Sequence, residues 1–282
     1  MRLLLKALVV LAPIGILVFG LQLCTQNAVE RWLMRVRAVD ELATLGLDLP
    51  GVIAIAPDAA QAQEAGEFAV DFRASLADNF SDLLGRGSNQ RFILVIFSAP
   101  EMVREYAGRK AIIDRKALGG VVGYTDPTKN AVFLPPEADF ITLRHEIVHL
   151  LMAQATEGRV RFSPWLNEGL AQFFERYNPP APPSFPPASR ALVRTMLGGQ
   201  PLDLMRLLKL QNYNQFLRES GQRNYFEAQV LISYLIEHRR DALIEYIDAE
   251  KTHLSSRYGL FVEIVGDPLG KLGRDVQAYL DE

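Results

Sequence analysis

At 282 residues the chain can hold one large or two small domains, and 49% hydrophobic with 22% charged residues is the balance of a folded protein with a sizeable core, which excludes intrinsic disorder. A net charge of -3 and a pI near 5.9 provide no basic field to attract phosphates, so nucleic acid is not an expected partner. Cys24 is the only cysteine, so no internal disulfide supports the fold.

Residues 1–24 read as a membrane anchor or export signal. Arg2 and Lys6 flank an apolar run from Ala7 to Leu21, and Leu3 to Leu23 supplies the roughly 20 residues a bilayer requires if Lys6 snorkels. Val18-Phe19-Gly20 is the only weak cleavage site, which favours an uncleaved anchor. Leu23 before Cys24 is a poor lipidation context. Arg31, Arg35 and Arg37 make the second flank basic too, leaving orientation ambiguous, and an exported periplasmic or extracellular domain is the expected use of a single anchor. Residues 25–49 read as a juxtamembrane helix or linker, with the folded part beginning near Pro50.

Alternating and periodic patterns then predict a strand over Gly51–Ala56, an amphipathic helix over Ala59–Leu84, an apolar strand over Arg91–Phe97 and a short helix over Ala99–Tyr106. Gly119–Tyr124 and Asn130–Leu134, with a turn at Thr125–Thr128, predict a hairpin whose outer strand forms a sheet edge. Pro135-Pro136 ends that unit, Asp139 reads as a helix N-cap, and an apolar period runs to about Ala155.

That helix carries His145-Glu146-Ile147-Val148-His149. Residues four apart share a helix face, so the two imidazoles can reach one ion while Glu146 lies beside the open coordination position. Two of the chain's four histidines fall here, among Ile141, Leu143, Ile147, Val148, Leu150, Leu151 and Met152, so the polar trio sits in or beside a core, where a metal is a natural partner. A catalytic zinc takes three protein ligands, and Glu168 is the obvious candidate for the third. Ser163-Pro164 reads as N-cap and first residue of a second helix running to about Tyr177, which places Glu168 in its first turn. There it could instead merely complement the helix dipole.

Asn178–Pro187 holds six of the sixteen prolines and reads as a stiff connector over residues 178–188. Helical patterns follow at Ser189–Leu197, Leu202–Leu210, Tyr225–His238, Asp241–Lys251 and Pro268–Leu280. His238 and His253 lie in polar surroundings and read as surface residues. The expected fold is α+β: a mixed sheet with an edge hairpin packed on the zinc-binding helices (residues 50–177), then a helical C-terminal lobe (189–282), behind an N-terminal hydrophobic anchor helix.

Residues 139–177 resemble the gluzincins, zinc peptidases whose third ligand is a glutamate on a second helix. Eighteen residues separate His149 from Glu168, and Trp165-Leu166-Asn167-Glu168-Gly169-Leu170-Ala171-Gln172-Phe173-Phe174-Glu175 is similar to the second-helix motif of the bacterial peptidase MA-like proteins. The resemblance implies one zinc ion held by His145, His149 and Glu168, with Glu146 as general base. It also implies an electrophilic tyrosine or histidine that stabilises the oxyanion: Tyr225 fits best, in a helix resembling the one that follows the zinc helices in that family, and Tyr213 is the alternative. For a carboxylate behind a ligating imidazole, Gln172 occupies the usual position and Glu175 lies one turn on. In gluzincins an edge strand pairs with extended substrate. The GxMEN motif of the aminopeptidase branch has no equivalent, which favours an endopeptidase acting on a peptide or protein. A zinc hydrolase of a cell-envelope amide and a noncatalytic binding protein are the alternatives, although a degenerate site usually loses the base or a ligand.

Overall fold

The computed structural model describes residues 46–84, 90–110, 122–158, 161–177, 179, 184–218, 221–252, 257–265 and 269–282. The expected anchor over 1–24, most of the segment 25–49, Gly119–Val121, much of the proline-rich connector and His253 lie outside them. Among the described residues no helix is long and apolar enough to cross a membrane.

Five strands form one mixed sheet in the order β1-β2-β3-β5-β4, from β1 (Leu47–Leu49), β2 (Val52–Ile55), β3 (Phe92–Ile96), β4 (Tyr124–Asp126) and β5 (Ala131–Leu134). The central strands β2, β3 and β5 run parallel, and β1 and β4 pair antiparallel to β2 and β5. Strands buried on both faces need unbroken apolar runs, and VIAI, FILVI and AVFL supply them. Their side chains alternate between two layers. Ile53, Ile55, Ile93, Val95, Ala131 and Phe133 meet Val103 and Tyr106 of α2 (Pro100–Lys110). Val52, Phe92, Leu94, Ile96, Val132 and Leu134 face the main core, built with α1 (Ala59–Leu84) and α3 (Phe140–Gln154).

Two expectations shift here. The folded part starts before Pro50, because Leu47–Leu49 pairs with Val52–Ala54 as β1 around Gly51, whose φ of 77° suits a tight turn. The hairpin turn also lies later than Thr125–Thr128: Thr125 and Asp126 belong to β4, and the chain reverses over Pro127–Asn130, where Asp126 accepts bonds from the Thr128 amide (3.0 Å) and hydroxyl (2.6 Å).

After α3 comes α4 (Pro164–Glu175), then a helical array: α5 (Pro187–Met196), α6 (Leu204–Lys209), α7 (Tyr213–Arg218), α8 (Gly221–His238), α9 (Arg240–Thr252), α10 (Arg257–Val265) and α11 (Leu269–Asp281). The sequence patterns do not anticipate α7 or α10, and Pro187, expected in the connector, opens α5. Proline is tolerated in a first turn because the amide it lacks would be unpaired there. A continuous buried cluster joins the sheet, α3, α4 and the C-terminal helices, with Leu150, Leu166, Leu170, Ala228, Leu231, Leu243 and Val276 in it.

The crossing of α4 and α8 is the tightest in the site region. A Cβ at Gly169 would stand 2.6 Å from Ile232 Cγ1 and 2.8 Å from the Ala228 carbonyl oxygen, so only glycine lets the helices approach this closely. Trp165 anchors the start of α4, buried against Tyr246 at 5.5 Å and Phe261 at 5.3 Å between ring centroids.

Candidate metal centre

Asp139 caps α3 as expected, accepting from the Thr142 amide at 2.9 Å. Six residues into the helix, His145 and His149 project toward α4, their Nε2 atoms 2.9 Å apart. Ser163 stands at the cap position of α4, but its hydroxyl does not bond the first turn. Instead the buried Glu250 carboxylate of α9 accepts from both the Ser163 amide (2.9 Å) and hydroxyl (2.6 Å), so a distant acid takes the capping role. Glu168 is the fifth residue of α4, one position beyond the first turn where it was expected. There the pull of the helix dipole has begun to fall off, and the two imidazoles are the nearest charges to this carboxylate. It is buried, and its Oε2 lies 3.4 Å from His145 Nε2 and 3.6 Å from His149 Nε2.

These three atoms form a compact triangle, and among the described residues this is the one group of histidine, cysteine and acidic side chains that could hold a metal. Four tetrahedral ligands at zinc's bond lengths to nitrogen and oxygen stand about 3.3 Å apart, and the edges of 2.9, 3.4 and 3.6 Å bracket that spacing. Glu168 Oε2 is buried with no hydrogen-bond partner, an expensive arrangement unless a cation completes it. The two-nitrogen, one-oxygen donor set fits zinc.

Electrostatics inside the cluster are strong. Burial works against a charged His145, but the adjacent Glu168 carboxylate, the Glu175 carboxylate on its Nδ1 and the nearby Glu146 charge hold its pKa well above the usual imidazole value. Burial would raise the Glu168 carboxyl, yet His149 and His145 beside it keep it below the ordinary carboxylate range. Each group is fixed in the form that answers its neighbour's charge.

The support behind the ligands resolves the choice between Gln172 and Glu175. Glu175 Oε1 lies 2.6 Å from His145 Nδ1, and Gln172 holds that same oxygen by donating from Nε2 at 2.7 Å. Arg144 Nη1 donates to the Glu175 carbonyl at 3.0 Å and ties the two helices together. With Nδ1–H donated to Glu175, the Nε2 lone pair of His145 points to the triangle.

Glu146 is buried at the β4 side of the site. Thr125 Oγ1 lies 2.7 Å from Glu146 Oε2 and 2.9 Å from the Glu146 carbonyl oxygen. On the other flank α8 brings Tyr225 near, its phenol pKa pushed up by burial and then by the charges of Glu168, Glu146 and Glu175. Tyr213 lies beside α4, next to the neighbour of Glu168. Its hydroxyl accepts from Asn167 Nδ2, and burial together with the Glu168 charge raises its pKa well above the usual phenol value.

Of the expected site residues, His145, His149 and Glu168 are in mutual contact and Glu146 lies near enough for its charge to act on His145, while Tyr225 and Tyr213 are near enough for the Glu168 charge to act on both phenols. Thr125 and Glu250 are additions that the sequence patterns do not point to.

Residues 139–255 match the family described as a protein of unknown function, DUF1570. The match runs from the cap of α3 past the end of α9, so it takes in the whole group that could hold a metal, the Glu175 behind it and both tyrosines, and leaves the sheet outside. None of the curated proteins matches the chain.

Proposed function

We propose that this protein is a zinc-dependent metallopeptidase of the gluzincin type, and that it acts as an endopeptidase. The observation that carries the reading is the buried triangle of His145, His149 and Glu168 with Glu146 directly alongside, on helices whose sequence resembles the MA-like peptidases. A zinc ion held there would supply the electrophile that acidifies a water and polarises a scissile carbonyl.

The chain's own groups do the rest. Glu146 accepts the water proton as the new C–O bond forms, and later delivers it to the departing amine nitrogen as the C–N bond breaks. Tyr225, a phenol and so protonated at neutral pH, donates a hydrogen bond where negative charge develops on the former carbonyl oxygen. Glu175 keeps the His145 ring in register, and Glu168 offsets the positive charge of the ion. Strand β4 ends the sheet order among the described residues, so its outer edge is available to pair with an extended peptide laid past Glu146. The missing GxMEN motif removes the group that holds a substrate amino terminus in the aminopeptidase branch, which supports internal cleavage.

The apolar segment before Cys24 would tether this catalytic unit to a membrane, with the site on the exported side. Metal analysis of the purified protein is the first test: one zinc per chain is expected, lost in His149→Ala and Glu168→Ala. A peptide-library digestion then reads whether cleavage is internal. Zinc-loaded protein that cuts amides of the cell envelope but no peptide would move the assignment to that substrate class.

A further inference from the structure

The segment Gly123-Tyr124-Thr125 contacts Glu146 in a way the fold itself does not require. Along β4 the side chains alternate: the Tyr124 ring lies tilted against Tyr106 with centroids 5.8 Å apart, and Asp126 accepts from the Tyr106 hydroxyl, both on the α2 side of the sheet. Thr125 points the other way, to α3, and its hydroxyl meets Glu146 Oε2 at 2.7 Å and the Glu146 carbonyl at 2.9 Å. Among the described residues no other group donates a hydrogen bond to this carboxylate. The second oxygen is bounded by backbone, since a Cβ at Gly123 would lie 2.8 Å from Glu146 Oε1, 2.8 Å from Cγ and 3.1 Å from Cδ. A side chain there would displace the carboxylate.

We propose that Gly123 and Thr125 are positioning residues for Glu146, the hydroxyl anchoring one carboxylate oxygen while the bare glycine leaves the space that the other fills. Glutamate has three side-chain torsions, and a general base must be held close to its target atom, so a group that fixes those torsions acts on turnover through Glu146 without touching metal or substrate. The same short segment forms the sheet edge, so a peptide pairing with β4 would lie against the strand that sets the base. The inference rests on the assignment of Glu146 as the base, but its test does not depend on peptide cleavage.

The test compares zinc-loaded full-length wild type with Thr125→Val, Thr125→Ser, Gly123→Ala, Glu146→Gln and the Thr125→Val/Glu146→Gln double variant. Valine keeps the branched shape suited to a strand and removes only the hydroxyl. Zinc content and melting temperature are measured for each, with the affinity for acetohydroxamic acid, a metal chelator whose hydroxyl proton a neighbouring carboxylate can accept, and kcat and KM on a cleaved peptide. Zinc stoichiometry stays at the wild-type level throughout. Thr125→Val and Gly123→Ala lose about tenfold or more in kcat with KM little changed, and Thr125→Ser recovers most of it. Acetohydroxamate binding weakens in Thr125→Val as it does in Glu146→Gln, and the double variant loses no more than Glu146→Gln alone. Loss of zinc from Thr125→Val, hydroxamate losses that multiply in the double variant, or wild-type kcat and hydroxamate affinity in Thr125→Val would each overturn the proposal. If wild type binds zinc and hydroxamate but cleaves no peptide, the peptidase assignment falls and the hydroxamate comparison still decides the role of Thr125.

Discussion

Glu175 Oε1 stands 2.6 Å from His145 Nδ1 while Gln172 donates to the same oxygen, so one carboxylate on α4 sets the orientation of an imidazole on α3 that we propose binds zinc. An imidazole fixed through its remote nitrogen presents its other nitrogen in one direction. Glu175→Ala removes that constraint without touching the triangle, and zinc affinity should fall about 10–100-fold. Competition with a chromophoric chelator measures it; affinity unchanged in Glu175→Ala would mean that the helix alone orients His145.

Proton competition should be visible in metal uptake. His145 is held protonated in the free site well above the usual imidazole value, chiefly by Glu168 and Glu175 acting against burial. Zinc needs the neutral ring, so binding must expel that proton, and affinity rises with pH until the raised pKa is passed. Below that value each lower pH step leaves more proton to displace. Titration calorimetry at about pH 7 in buffers of different ionisation enthalpy should show proton release, and the zinc Kd should weaken from about pH 8 to 6. A Kd flat across that range would contradict this account of His145.

The two tyrosines should separate by what they disturb. Tyr213 is held by Asn167 and feels the Glu168 charge, whereas Tyr225 on α8 feels the charges of Glu168, Glu146 and Glu175. Tyr225→Phe should lose about 10²–10³ in kcat with zinc affinity intact, the cost of removing an oxyanion donor. Tyr213→Phe should weaken zinc binding instead. The reverse pattern would exchange their roles.

Gly169 tests the packing that delivers Tyr225. Alanine is the better helix former, but its Cβ would press on Ile232 and on the backbone oxygen of Ala228. Gly169→Ala should therefore destabilise the fold by about 1–3 kcal/mol, read as a lower urea midpoint at unchanged slope. A midpoint at or above that of wild type would show that α4 and α8 can separate freely.

These tests draw on features that differ in how far the sequence discloses them. The bounds of α1 follow from its periodicity, and α3 from its Asp139 cap, because each signal is local. The group that could hold a metal was legible for the same reason: two histidines one helical turn apart, then a glutamate in a motif-bearing helix. What escaped is tertiary or short. Three-residue β1 has too few positions to show alternation, and six-residue α7 spans less than two turns. Gln172 and Glu175 lie on the same helix, and only the crossing of α3 and α4 decides which meets His145. Thr125 reads as a turn residue until β5 pairs through Ala131–Phe133 and carries β4 alongside Glu146. Glu250 capping Ser163 joins residues far apart in sequence, which no window reveals.

The central claim is that Glu146 acts as a base beside a zinc held by His145, His149 and Glu168. Peptide hydrolysis by zinc-loaded wild type and Glu146→Gln, with metal content measured on the same samples, tests it most directly. The account predicts one zinc per chain in both and a fall in kcat of about 10²–10⁴ in the variant. Equal hydrolysis by two equally zinc-loaded proteins would contradict it.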